Sequence, residues 1–218
     1  MRDLDCKVIL YIRRQDDLIT SSWQQWYSKK ATDFDAWLPY AMQTMGHWQK
    51  CIEGWETVVG AGNVIVRVFQ RSDLVNGDVV DDFLSLLSLG DMEPPFIKSP
   101  SVVNPSYSDI ITPIVSGSGF IFSNEHDNGF YSMLEKLTGG YYVNAKKVSL
   151  ISREQRECLV SSFQEENELV CRKYFPGRLR LFEATDHAKY EYLSSEELTR
   201  RQLQFLTSLV FAMYKKLN

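Results

Sequence analysis

A short apolar run followed directly by a charged turn is the feature of this sequence that most restricts its fold. Residues 7–12, Lys-Val-Ile-Leu-Tyr-Ile, lead into Arg13-Arg14-Gln15-Asp16-Asp17. A continuous apolar run is typical of a parallel strand that is covered on both faces. The acidic pair is a good start for a helix, and apolar residues follow it at helical spacing. We therefore predict a strand, a tight basic turn and a helix.

The same order recurs further along the chain. Residues 64–69 are rich in β-branched side chains and predict a second strand, and an apolar stripe over 79–87 predicts the helix after it. An aromatic-rich stretch over 33–59 predicts one or two helices between them. Two successive strand–helix pairs favour an α/β fold. Because two strands are few for an independent sheet, we expect the parallel sheet to be incomplete.

The carboxyl-terminal part of the sequence predicts a loop-rich segment followed by helices. Residues 91–150 are rich in proline and glycine and predict a loop-rich segment with one short helix at most, whereas 151–218 predict helices. Ser152 and Gln155 form a capping-box pattern, and we predict one helix from there to the stop at Pro176-Gly177. The apolar stripe of a last helix is formed by Leu206, Leu209, Val210, Met213 and Leu217. We predict a single, partial domain over 1–218, with a strand–helix core over 1–90.

The composition argues against several classes of protein, among them disordered, nucleic-acid-binding and membrane-spanning proteins. Hydrophobic residues make up 44% of the chain and aromatic residues 13%, which indicates an ordered globular protein. The net charge of −4 argues against broad binding of nucleic acid. No apolar run reaches the ~20 residues of a membrane span. The four cysteines lack metal-ligand spacing, so we expect reduced thiols, a cytoplasmic location and no metal site.

Arg13 and Ser21 are the candidate binding residues. Ligands of open α/β sheets bind at the carboxyl ends of strands, where a helix amino terminus attracts anions. Arg13 would add a charged, forked donor at that point, and Ser21, eight residues later, would add a hydroxyl. The pattern predicts a phosphate clamp. Spacing alone equally allows an arginine that forms an ion pair at the surface.

The segment 7–21 resembles the 3′-phosphate-binding motif of sulfotransferases, in which an apolar strand ends in arginine and serine follows eight residues later. Arg13 and Ser21 match those two positions. Arg14 and Ser22 have the same spacing, but the apolar strand adjoins Arg13. Many sulfotransferases have proline where this chain has Gln15, and the Arg-Arg-Gln-Asp-Asp form looks like a bacterial, carbohydrate-related branch. Residues 62–74, 80–84 and 150–175, the last with Asn167, look like later parts of that family.

The resemblance implies a P-loop-type sulfotransferase fold, with 3′-phosphoadenosine 5′-phosphosulfate as donor and a hydroxyl, expected on a carbohydrate, as acceptor. One departure is large, because the sequence contains no Gly-Lys-Ser/Thr loop to hold the 5′-phosphosulfate. We expect a fragment, a truncated product or a degenerate paralogue. Catalysis by this chain alone therefore stays open. The alternative is a non-catalytic nucleotide-binding or interaction module derived from that fold.

Histidine and aromatic side chains are the other candidates for catalytic or acceptor-binding roles. The three histidines, His47, His126 and His187, are interpreted as surface or packed residues without a role. The aromatic residues between Trp23 and Trp48 are interpreted mainly as core. The tyrosines that remain as acceptor-site candidates are Tyr107, Tyr141 and Tyr142.

Overall fold

A two-stranded parallel sheet lies at the start of the fold. The computed structural model describes residues 6–30, 33–89, 107–139 and 148–217. Strand β1 (Val8–Ile12) pairs with strand β2 (Val64–Val68), in a register that runs from Val8 opposite Val64 to Ile12 opposite Val68. Both predicted strands are confirmed, and so is the α/β class.

The rest of the described chain is rich in helices. Their bounds are α1 Gln15–Gln25, α2 Phe34–Thr44, α3 Trp48–Val59, α4 Val79–Leu86, α5 Thr112–Gly117, α6 Gly129–Thr138, α7 Arg153–Ser162, α8 Gln164–Tyr174 and α9 Ser195–Leu217. Among these described helices, none combines the length and the apolar character that crossing a membrane requires. Helix α4 begins where the Asp78 side chain accepts hydrogen bonds from the amides of Val80 and Asp81.

The chain divides into two compact units, each assembled from separate parts of the sequence. The described residues of the first unit are 6–18, 44–89 and 158–184. Those of the second unit are 19–30, 33–43, 107–139, 148–157 and 185–217. The division crosses α1 after Leu18 and α7 before Cys158. The prediction of one partial domain over 1–218 stays a prediction.

The core of the first unit forms around the carboxyl ends of the two strands. Ile12 of β1 and Val68 of β2 are buried with Ile52 of α3 and Val170 of α8. Leu10, Val64 and Val66 are partly buried against the same cluster. Helices α3 and α8 thus cover the apolar residues of the strands, and a continuous apolar strand needs such cover from solvent.

The core of the second unit is made of helices and aromatic rings. The side chains of Tyr107, Ile111, Val115, Leu134 and Phe205 are buried together. Around them, aromatic and aliphatic residues are partly buried, and these include Phe122, Phe130, Tyr131 and Leu209. This core joins the regions of α5, α6 and α9, which are distant in sequence.

The predicted single helix from Ser152 to Tyr174 is wrong, because α7 and α8 are separate. The backbone leaves the helical range at Phe163, where φ is −105° and ψ is 6°. Phe163 is buried there, with its ring centroid 5.4 Å from that of His47. The capping box is confirmed, because the Gln155 amide donates to Ser152 Oγ at 3.1 Å and Gln155 Oε1 accepts from the Ser152 amide at 2.9 Å.

Two further differences concern the carboxyl-terminal part. The segment predicted to be loop-rich contains α5 and also α6, a ten-residue helix that we did not predict. Of the predicted apolar stripe of α9, only Leu209 packs on the core, whereas Leu206, Val210, Met213 and Leu217 are exposed. Compared with the predicted apolar stripe, the face that α9 buries is rotated around the helix axis toward Phe205, which has no exposed surface.

Candidate functional site

Arg13 lies at the point where β1 ends and α1 is about to begin. The carbonyl of Ile12 accepts a hydrogen bond of 2.7 Å from the Phe69 amide. The carbonyl of Arg13 accepts one of 2.8 Å from the indole nitrogen of Trp48. The Arg13 guanidinium carbon is 6.0 Å from the centroid of the Phe69 ring, the outer range of a cation–π contact. Packing from β2 and α3 therefore holds the backbone of Arg13 at the strand end.

Arg14 forms ion pairs with the two acidic residues that follow it, Asp16 and Asp17. Its Nε and Nη2 donate to the two carboxylate oxygens of Asp16 at 2.6 and 2.9 Å, and Asp17 lies 3.7 Å away. The Asp16 side chain is fully buried. A bidentate pair of this kind neutralises a carboxylate that would otherwise repel an anion at the start of α1. The choice of Arg13 over Arg14 as the phosphate ligand stays a prediction.

Gln15 binds the turn to two distant segments. Its side-chain nitrogen donates to Asn167 Oδ1 at 2.8 Å and to the Gly46 carbonyl at 3.1 Å. Asn167 Nδ2 returns a hydrogen bond of 3.1 Å to Gln15 Oε1. Gln15 is fully buried, so these bonds satisfy amide groups that would be costly to bury alone. The residue that departs from the proline of many sulfotransferases therefore has a structural purpose in this chain.

A polar group at the carboxyl end of β2 lies at the same sheet edge as Arg13, since the carboxyl ends of parallel strands meet. Asp73 accepts a hydrogen bond of 3.0 Å from Arg178 Nη2 and pairs with Nη1 as well. The side chain of Gln70 donates to Asp73 and accepts from the Glu183 amide at 3.2 Å. These residues were not predicted. Arg178 is 105 positions from Asp73, so no local pattern connects them.

Asp82 is the centre of a second polar cluster of the first unit. Its Oδ2 accepts from the Tyr11 hydroxyl at 2.7 Å and from Arg67 Nε at 3.0 Å, and its Oδ1 accepts from the Val75 amide at 3.2 Å. Burial acts to raise the pKa of Asp82, but the bonds from Arg67, Tyr11 and Val75 outweigh it and lower that pKa below its ordinary value. Burial, together with the bond to Asp82, raises the pKa of Tyr11 to about 12. A carboxylate with every partner in place is a structural acceptor, so we do not assign Asp82 a catalytic role.

Ser21 lies inside α1, in the half that belongs to the second unit. Arg13 belongs to the first unit, and their action on one phosphate stays a prediction. The neighbouring Ser22 is buried, with 2% of its surface exposed, whereas Ser21 is partly exposed. Accessibility is therefore consistent with the choice of Ser21 over Ser22.

The histidines contact neighbouring polar groups. His47 Nδ1 lies 3.1 Å from a carboxylate oxygen of Glu166. His187 Nδ1 lies 2.8 Å from the Tyr192 hydroxyl, and its Nε2 lies 3.3 Å from Glu157. These contacts hold loops and helix ends in place, and we assign no histidine a catalytic role.

The aromatic candidates divide by burial. Trp23 and Trp37 are buried, with ring centroids 5.2 Å apart, as expected of core residues. Tyr107 is buried as well, and burial raises its pKa far above the ordinary value. Its position in the core makes it unsuitable as an acceptor-site residue. Tyr141 and Tyr142 lie outside the described residues.

A cleft of about 430 Å³ in the second unit lies beside the starts of α7 and α9. Its lining includes Ser152, Arg153, Tyr192 and the largely buried Asp109. Asp109 accepts a hydrogen bond from the Gln24 side chain. The sequence contains no motif that points to this cleft.

Within the part of the chain that the structure describes, no group of three or more histidine, cysteine or acidic side chains is arranged to hold a metal ion. The described cysteines, Cys6, Cys51, Cys158 and Cys171, are all free thiols.

Compared with known proteins, the chain matches no family model, no curated protein and no solved structure.

Proposed function

We propose that this chain has a sulfotransferase-type P-loop fold and binds the 3′-phosphate of 3′-phosphoadenosine 5′-phosphosulfate at Arg13. The observation that carries the proposal is the position of Arg13, between the carboxyl end of a parallel strand and the start of a helix. Amide groups at the start of α1 add hydrogen-bond donors for an anion. Ser21 is the second proposed ligand of that phosphate, and the resemblance of residues 7–21 to the family motif supports both assignments.

The electrostatics of the turn support an anion site. Asp16 would disfavour a phosphate, but Arg14 pairs with it through two hydrogen bonds of 2.6 and 2.9 Å. An arginine presents a planar set of donors that matches a phosphate and keeps its charge at every physiological pH. The Trp48 bond to the Arg13 carbonyl holds the backbone from which that side chain extends.

The donor supplies the sulfonate group that is transferred to an acceptor hydroxyl, for which we propose a carbohydrate. In the transfer, the acceptor oxygen forms a bond to sulfur as the bond from sulfur to the phosphate oxygen breaks, and a base takes the acceptor proton. Arg13 and Ser21 would orient the nucleotide from its 3′ side. We assign no residue of this chain to the base or to the 5′-phosphosulfate.

Calorimetry with adenosine 3′,5′-bisphosphate tests the phosphate site. We expect Arg13→Ala to weaken binding by about 10- to 100-fold, because it removes charge-assisted hydrogen bonds. Ser21→Ala should weaken it by only about 3- to 10-fold, because a neutral hydroxyl contributes less. Arg172→Ala, at an exposed position of α8, is the matched control and should leave the affinity unchanged.

Adenosine 5′-monophosphate makes the test specific for the 3′-phosphate. The wild-type chain should bind it at least about 10-fold more weakly than the bisphosphate, and Arg13→Ala should remove that preference. Equal affinity of the wild-type chain for the two nucleotides would overturn the assignment.

A second candidate function is a nucleotide-binding module without catalysis. The lack of a Gly-Lys-Ser/Thr loop in the sequence favours it. A sulfonate-transfer assay with the phosphosulfate donor and a panel of polysaccharides distinguishes the two functions. Bisphosphate binding without transfer to any acceptor would support the module, and transfer that Arg13→Ala abolishes would support the enzyme.

A further inference from the structure

The cleft beside the starts of α7 and α9 has a largely apolar wall. Its volume of about 430 Å³ lies within the range of small-molecule sites. The described residues that line it all belong to the second unit. The apolar members of this lining are Pro113, Val148, Leu150, Ile151, Leu193 and Leu198. A cleft of this size and character suits a ligand with a compact apolar body.

A row of three hydrogen-bonding side chains ends at this cleft. Tyr192 lines the cleft, and its hydroxyl lies 2.8 Å from Nδ1 of His187. On the other side of the imidazole ring, His187 Nε2 lies 3.3 Å from Oε1 of Glu157. A carboxylate beside one ring nitrogen favours the tautomer that carries its proton on that nitrogen. His187 Nδ1 is therefore the acceptor, and the Tyr192 hydroxyl donates its hydrogen to it.

Two other hydroxyl groups of the lining also donate into the protein. Ser149 Oγ donates to the Ile151 carbonyl at 2.7 Å, and Ser152 Oγ donates to Glu154 Oε2 at 2.9 Å. Like Tyr192, these serines direct their hydroxyl hydrogens toward protein acceptors. A hydroxyl oxygen has two lone pairs and still accepts hydrogen bonds when its hydrogen is used. These hydroxyl groups therefore offer the cleft acceptors rather than donors.

The charged residues of the lining add a further acceptor and disfavour anions. One of them is basic, Arg153, and two are acidic, Asp109 and Glu154. Asp109 is largely buried, and its carboxylate can only accept hydrogen bonds. Arg153 and Ser195 also carry donors, but both side chains are exposed, and Arg153 Nε donates to Glu157 at 3.1 Å. The lining is thus complementary to an uncharged ligand that brings a hydrogen-bond donor.

We propose that this cleft binds an uncharged alcohol or phenol, with its apolar body against the apolar wall and its hydroxyl donating to the Tyr192 oxygen. His187 and Glu157 are positioning residues, because they fix the direction of the Tyr192 O–H bond and do not contact the ligand. An ether of the same shape has no hydrogen to donate and would place its oxygen against that of Tyr192. The cleft therefore discriminates between the alcohol and its ether. The proposal uses no residue of the proposed phosphate site.

Equilibrium dialysis of the full 218-residue chain with matched aromatic probes tests the hydrogen bond. The probes 2-naphthol and 2-methoxynaphthalene share one apolar body, but only the naphthol can donate. We expect the wild-type chain to bind 2-naphthol at least about 10-fold more tightly, because the ether leaves the acceptor of Tyr192 unpaired. The anion 2-naphthoate should also bind at least about 10-fold more weakly than 2-naphthol, because the acidic lining repels it.

Removal of the Tyr192 hydroxyl should abolish this preference. Tyr192→Phe should weaken binding of 2-naphthol by about 10-fold and should not weaken binding of 2-methoxynaphthalene, because it removes only the acceptor. Tyr214→Phe is the matched control, since Tyr214 is an exposed tyrosine of the same unit outside the described lining of the cleft. It should leave both affinities unchanged.

A substitution at His187 tests the direction of the Tyr192 hydroxyl. His187→Phe keeps a ring but removes the Nδ1 acceptor, so the Tyr192 hydroxyl can turn and donate to a ligand. The affinity for 2-methoxynaphthalene should then rise at least about 3-fold, whereas that for 2-naphthol should change by less than about 2-fold. If His187 only stabilised the loop, the variant would weaken binding of both probes, and its positioning role would be overturned.

Hydrogen exchange locates the bound probe. Saturating 2-naphthol should slow amide exchange in residues 148–153 and 192–198, which form two sides of the cleft. Slowed exchange confined to another part of the chain would overturn the site. Three results of the dialysis would overturn the proposal as well: no saturable binding of 2-naphthol, equal affinity of the wild-type chain for the alcohol and the ether, or a preference that Tyr192→Phe leaves intact.

Discussion

The two units of this protein each have an apolar core, but they differ in how deeply their ion pairs are buried. The first contains charged clusters, in which Asp82 binds Arg67 and Tyr11, and Asp73 binds Arg178. The second has an apolar and aromatic core with Phe205 at full burial.

The Asp82 side chain of the first unit is fully buried, whereas both side chains of the Arg201–Glu191 pair in the second unit are 29% exposed. A buried charge depends more strongly on its partners than an exposed one, so we expect the Asp82 cluster to make the first unit sensitive to pH and the Phe205 core to make the second sensitive to cavities.

The largest effect is expected from a cavity in the second unit. Phe205→Ala should lower the free energy of unfolding by about 4 kcal/mol, because it removes a fully buried ring. Phe211→Ala, on the exposed side of α9, should cost about 0.5 kcal/mol or less. Urea unfolding measures the loss in the free energy of unfolding. Hydrogen exchange shows the unit in which amide protection is lost. A loss of protection confined to the first unit would contradict the assignment of Phe205 to the second core.

A somewhat smaller effect is expected from removal of the Asp82 charge. Asp82→Asn should cost about 3 kcal/mol at neutral pH, because it removes the charge of a fully buried carboxylate that accepts hydrogen bonds from Arg67, Tyr11 and the Val75 amide. Asp81→Asn, the adjacent and less buried carboxylate, is the control and should cost about 0.5 kcal/mol. Similar losses for the two variants would show that the cluster does not stabilise the first unit.

The same variant has a pH signature. The pKa of Asp82 is lowered in the folded protein, so the unfolded chain binds the proton more readily. The stabilisation is therefore present above the ordinary aspartate pKa and is lost as pH falls through the lowered value. Urea midpoints at successive pH values should show the difference between wild type and Asp82→Asn shrinking from about pH 5 downward. Phe205→Ala should show no such change in its difference from wild type.

The smallest of these effects is expected at the turn beside the candidate site. Gly46 has a φ of +77°, and an added Cβ would lie 2.6 Å from Gln15 Cγ. Gly46→Ala should therefore cost about 2 kcal/mol, through backbone strain and displacement of Gln15. Gly62→Ala is the matched control, since nothing lies within 4 Å of the added carbon, and it should be nearly neutral. Equal urea midpoints for the two variants would contradict the close packing of Gln15 on Gly46.

Part of the candidate site could be predicted from sequence because its signal is local. The apolar run of β1 is followed at once by Arg13 and by the start of α1, so the order strand, turn and helix is present in adjacent residues. The pair between Arg14 and Asp16 is local as well, since the two residues are two positions apart. The bond from Gln15 to Asn167 spans 152 positions, and no pattern within a short window could reveal it.

The sequence by itself determined the strands β1 and β2, the α/β class and the cap of α7, because each depends on side chains within a few residues of one another. Only the tertiary structure decided the break at Phe163 and the face that α9 buries. In both cases the helical apolar period continues unchanged, and the choice depends on which distant surface the side chains meet. The partners of Asp82 and Asp73 were decided in the same way, since a buried charge is stabilised by whichever group the fold brings to it.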